Sequence, residues 1–87
     1  GIDPGEVRVA LASLPGVASL HDLHIWPIST TSTALTCHLV MPDGHPGDAF
    51  IAAASELLAE KFAIQHTTLQ IERGDAAGCK LAPDHVV

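Results

Sequence analysis

Positions 33–41 read TALTCHLVM, and their alternation leaves one backbone conformation open. In an extended chain Leu35, Cys37, Leu39 and Met41 fall on one side, and Ala34, Thr36, His38 and Val40 on the other. A helix would scatter the first four around its axis, so the segment is predicted to be a strand with one buried face. That face needs a cover, and the flanking segments supply it.

Two segments have helical spacing. Asp3-Pro4-Gly5-Glu6 is a helix start: Asp3 caps, Pro4 suits the first helical position, and Glu6 completes a capping box. Val7, Leu11 and Leu14 follow as one stripe, and Pro15-Gly16 ends the element. A second helix is predicted over 48–62, with Ile51, Ala54, Leu58 and Phe62 on one face and Leu57 beside them.

Two further strands are predicted. One spans 17–26, stops at Pro27 and turns through the Ser/Thr run 29–33. The other spans 66–73, with Thr67, Leu69 and Ile71 on one face and His66, Thr68, Gln70 and Glu72 on the other. The order is αββαβ: an α+β sandwich with two helices on one face of a three-stranded sheet. It resembles a ferredoxin-like fold without its first strand. Residues 1–74 form the expected domain, and 75–87 a tail without clear period.

The opposite sheet face then needs an account, because it collects histidines. There are six in 87 residues. The second strand contributes His38, and the third contributes Glu72, Gln70 and His66. The first contributes His21 or, in the other register, Asp22 and His24. Alternation leaves both open, since Leu23 and Ile25 share parity with His21, and Asp22 and His24 with Trp26. A bulge near His21 would reconcile an outward His21 with a core Leu23. Imidazole and carboxylate are zinc donors, and strands about 4.8 Å apart bring such groups to one ion.

Composition narrows the function. The net charge is −6 with four basic residues, which disfavours nucleic acid and anionic lipid as partners. Aromatic residues are 3%, too few for a base-stacking platform. Cys37 and Cys79 form no CxxC and no zinc-finger spacing; Cys37 reads as a core thiol, and a reducing cytoplasm fits. Neither a GxSxG elbow nor a glycine-rich phosphate loop is present, so no enzyme activity is expected. No apolar stretch approaches the ~18 residues needed to span a bilayer, and no signal peptide is recognisable, so the piece as given is expected to be soluble. A chain this short buries only about 60–65% of its unfolded surface, so a dimer or a bound metal would help it.

Three segments carry a resemblance: GVASLHDLHIW at 16–26, ALTCHLVMPDG at 34–44 and IQHTTLQIE at 64–72. In this order and spacing they resemble the cytoplasmic C-terminal domain of cation diffusion facilitators, the membrane transporters that export zinc and related divalent cations. The resemblance covers residues 16–72. It implies transmembrane helices before Gly1, which exchange metal for protons. It implies a homodimer shaped like a V, whose arms are drawn together by cytoplasmic metal in favour of transport. It implies a cytoplasmic location at a membrane, here the bacterial inner membrane.

Carried over residue by residue, the resemblance makes His21, His38 and Glu72 ligands of zinc or a related divalent metal. Gln70 falls where some members have a third histidine. A water, His66 or a partner-chain group would fill that place. Cys79 and His85 match the cysteine or histidine that some members extend across the dimer. The rival readings are a free-standing metallochaperone, an amino-acid sensor of the ACT type, and a purely structural dimerisation domain. A copper chaperone would carry a CxxC near its first loop, which is lacking here.

Overall fold

The computed structural model describes residues 2–74. The expected tail at 75–87, with Cys79 and His85, lies outside the described residues. The elements are α1 (Pro4–Ala12), β1 (Ser19–Pro27), β2 (Thr33–Val40), α2 (Asp48–Phe62) and β3 (His66–Glu72). The αββαβ order and the second helix's limits agree with the sequence reading. Among the described residues no helix is long and apolar enough to cross a membrane.

Local chemistry accounts for the helix ends. Asp3 caps α1, and its carboxylate accepts from Gly5 N–H at 2.8 Å, one residue earlier than a capping box has it. The helix stops at Ala12, ahead of Pro15, which cannot continue it. At the end of α2, Ala63 turns left-handed at φ 58°, and its N–H returns to Ala59 O. Gln65 then accepts from Thr33 N–H through its side chain at 2.9 Å, while its own N–H bonds Thr33 O at 3.1 Å. These two bonds start β3 beside the start of β2.

The sheet order is β1-β2-β3. β1 and β2 form an antiparallel hairpin, whereas β2 and β3 are parallel. Parallel neighbours need a crossover, and α2 provides it. Leu35, Cys37 and Leu39 are buried at 1% exposure or less, as the alternation requires. They pack with Val7 and Leu11 of α1, Leu58 of α2, and Ile64 in one cluster. Both helices therefore cover the same sheet face. Each fully buried aliphatic side chain adds about 1.5–3 kcal/mol relative to exposure.

Cys37 is part of this core, with its thiol 3.6 Å from the carbonyls of His21 and His38. Burial pushes its pKa up from 9.0 to about 11, and nearby Asp22 adds to the rise while Arg8 opposes it. It stays an inert thiol at neutral pH.

The other face carries rows set by the strand register. Trp26, Ala34 and His66 form one row, then His24, Thr36 and Thr68, then His21, His38 and Gln70. Glu72 stands beside Val40 in the next. Gly74 turns at φ +83°, and a side chain there would collide with Val40 Cγ1. Glycine lets the chain leave β3 close over the face that bears His38.

Candidate metal centre

The centre begins with an irregularity in β1. His21 pairs with His38 and His24 pairs with Thr36, so two residues, Asp22 and Leu23, oppose the single residue Cys37. This is a β-bulge. It turns both His21 and His24 to the outward face while Leu20 and Ile25 keep to the core side. The two registers left open by parity are thus both satisfied, one on each side of the bulge. Asp22 takes φ 53° to make the turn. That left-handed conformation costs a non-glycine residue roughly 1–2 kcal/mol, least for Asp and Asn.

The imidazoles of His21 and His38 stand edge to face, with centroids 4.9 Å apart. Glu72 lies between them: Oε1 is 2.8 Å from His21 Nε2, and Oε2 is 2.6 Å from His38 Nδ1. One donor atom from each of the three residues lies within 4.8 Å of the others. Gln70 shares the row and donates from Nε2 to Glu72 Oε2 at 3.1 Å, so it braces the carboxylate. His66 is exposed at the far end of β3, two rows away, and is not brought into the cluster. Asp22, absent from the ligand set expected from the sequence, adds a carboxylate oxygen 3.4 Å from His21 Nδ1 and 3.8 Å from His38 Nδ1. Alternation placed Asp22 on this face only in the register that turned His21 away from it. Regular alternation sends neighbouring side chains to opposite faces, and the bulge suspends that rule.

The electrostatics follow from this packing. The Glu72 side chain is only 9% exposed. Desolvation is the largest single influence on its carboxyl and pushes the pKa up. Hydrogen bonds and coulombic attraction from His21 and His38 together outweigh it, and the pKa ends below the ordinary 4.5. A carboxyl depressed on folding adds stability that is complete above its unfolded value and lost as pH falls through the folded one. Urea midpoints of the metal-free domain are therefore expected to drop below pH 4.5, and less steeply in Glu72→Gln. Equal acid sensitivity in both proteins would remove Glu72 as a cause.

The donor set fits a borderline metal. Two imidazoles and a carboxylate suit zinc, whose tetrahedral ligands at ~2.0–2.2 Å stand about 3.4 Å apart. The two imidazole–carboxylate pairs, at 2.8 and 2.6 Å, are already closer than that, so the side chains need only small rotations to face a common ion. Asp22 Oδ1 is buried without a hydrogen-bond partner, so negative charge at the centre is not fully answered by the protein itself.

Comparison with known proteins agrees with this architecture. The sequence model of the family described as "Cation efflux protein, cytoplasmic domain" matches residues 1–74. The chain is 38% identical over 72 residues to the vacuolar zinc transporter TgZnT of Toxoplasma gondii, covering 83% of this chain and 8% of that protein. It is also 38% identical over 72 residues to the metal cation efflux system protein CzcD of Cupriavidus metallidurans, covering 82% of this chain and 23% of that one. The chain thus spans less than a quarter of these relatives' length. Among solved structures, the metal-bound C-terminal domain of that CzcD transporter superposes with a TM-score of 0.71 at 36% identity, covering 82% of this chain and 99% of the other. With the α+β fold shared and the family match running through all five elements, the chain belongs to the cation efflux proteins, as their cytoplasmic domain.

Proposed function

We propose that this domain is the metal-sensing, dimerising regulatory part of a divalent cation efflux transporter. The observation that carries the proposal is the convergence of His21, His38 and Glu72 from three strands. Zinc is the favoured ion, given the nitrogen and oxygen donors and the zinc transporters among the relatives. Bound zinc supplies two positive charges and up to four directed bonds. His21 and His38 offer lone pairs to a metal only when neutral, so metal and protons compete for the same nitrogens. Glu72 would offer its carboxylate to the ion, and Gln70, which donates to Oε2, would orient it. The remaining coordination would fall to a water, Cys79 or a group of a second copy.

The homodimer supplies the switch. Two chains of charge −6 repel as they approach. A cation held between them offsets that repulsion. It shifts the population toward a closed dimer only if that state binds it more tightly. A transmembrane part of the same chain, preceding Gly1, would read the closure and transport. The domain would stand on the cytoplasmic side of the membrane, the inner membrane in a bacterium.

Calorimetric zinc titration with sedimentation velocity tests this. The expected result is saturable binding at micromolar concentrations or below, with a dimer that sediments faster when zinc is present. A monomer at every zinc level would sink the dimer switch. Absence of binding heat would leave a dimerisation scaffold.

A further inference from the structure

We infer that Asp22 is a positioning residue of the metal centre, whose carboxylate accepts the His21 Nδ1 proton and so presents the Nε2 lone pair to the ion. The role rests on the metal-sensing function proposed above.

Asp22 is the one residue in β1 that the fold does not need. With it removed, the strand reads Ser-Leu-His-Leu-His-Ile-Trp. Leu20, Leu23 and Ile25 would then alternate with His21 and His24 without a break. Leu20, Leu23 and Ile25 would face the core, His21, His24 and Trp26 would face outward, and no bulge would form. The strand instead carries the extra residue between the pairs His21–His38 and His24–Thr36.

The insertion has two local drawbacks. Its backbone sits at φ 53°, a conformation glycine adopts freely. Its Oδ1 is buried with no partner. Glycine at this position would remove both. What only the carboxylate brings is Oδ2, 3.4 Å from His21 Nδ1 and 3.8 Å from His38 Nδ1.

His21 therefore has a carboxylate oxygen near each nitrogen, Asp22 Oδ2 3.4 Å from Nδ1 and Glu72 Oε1 2.8 Å from Nε2. A neutral imidazole has one N–H and one lone pair. In the metal-free protein either nitrogen can keep the proton. Once Glu72 turns to an ion, a slight rotation of the ring closes Nδ1–H onto Asp22. Nε2 is then left as the free donor, on the side where His38 and Glu72 converge. Carboxylates in this position orient ligating imidazoles and raise their basicity, and losing one costs about 10–100-fold in metal affinity.

The test is zinc titration of the wild type, D22G and D22N, with thermal melting of the metal-free proteins. D22G keeps the left-handed backbone without the acceptor. It is expected to bind zinc about 10–100-fold more weakly with a melting temperature no lower than that of wild type. D22N retains an amide oxygen and is expected to fall between D22G and wild type. Zinc-loaded protein carrying 15N-histidine should show a proton on His21 Nδ1 and the metal on Nε2.

Four results would overturn the role: D22G binding as tightly as wild type, a fall in D22G melting that accompanies its loss of affinity, D22N as weak as D22G, or zinc on Nδ1. Wild type that binds zinc while D22G matches it sinks only the role of Asp22. Wild type that binds none removes the metal-sensing function itself and this role with it.

Discussion

The domain carrying both His21→Ala and His38→Ala should fold normally and lose zinc affinity by at least about a thousandfold. A four-ligand structural zinc site is worth ~10–16 kcal/mol, so removing two of its ligands takes away several. The fold is spared because both side chains lie on the sheet face opposite the helices, at 25% and 29% exposure, outside the core cluster. Competition titration against a chelator gives the affinity, and circular dichroism checks the fold. The single variants should each lose most of the affinity, since Glu72 and one imidazole make a poor pair for zinc. Zinc binding undiminished in the double variant would transfer the centre to other residues, with Cys79 and His85 first in line.

The largest effect on stability is expected for Leu39→Ala, at about 2–5 kcal/mol. Leu39 is fully buried in β2, between Leu20 and Ile71 in the register. A domain of 87 residues is stabilised by only about 4–13 kcal/mol, so this variant stands near the edge of unfolding. Zinc is expected to rescue it, because Leu39 faces the core while its neighbour His38 lies in the proposed metal centre. At a free concentration 100 times the dissociation constant, binding restores about 2.7 kcal/mol. Urea denaturation with and without zinc reads both quantities. Val9→Ala is the control: Val9 is 65% exposed, and its truncation should cost under about 0.5 kcal/mol. A Leu39 effect as small as that of Val9 would show that the core does not centre on β2.

Much of this was legible in the residues. The 33–41 alternation separated Leu35, Cys37 and Leu39 from His38 without a structure, because a strand's side-chain period is fixed by its backbone. The limits of α2 followed from its stripe and the loop before it. The first strand was less readable. Its two halves have different parity, and both place apolar residues inward, so burial alone could not choose between His21 and His24. Only the partner strand decides, by pairing His21 with His38 and His24 with Thr36. Asp22 could be read outward only in the register that excluded His21, so the two were not legible together. His66 and Gln70 share a parity with Glu72, and alternation could not rank them. The parallel register with β2 does so, placing Gln70 beside His38 and His66 beside Ala34.

His21, His38 and Glu72 come from three strands, and Glu72 is 51 positions from His21 and 34 from His38. No two are neighbours in the chain, and the last lies beyond a crossover helix. A growing polypeptide can therefore hold a cation here only after residue 72 has emerged and α2 has settled on the sheet. Chains that are truncated, slipped in register or left half-assembled stay deaf to the metal. Under the metal-sensing function proposed above, responsiveness to a cation would certify a finished domain, and an unfinished chain would not answer the signal meant for a complete one.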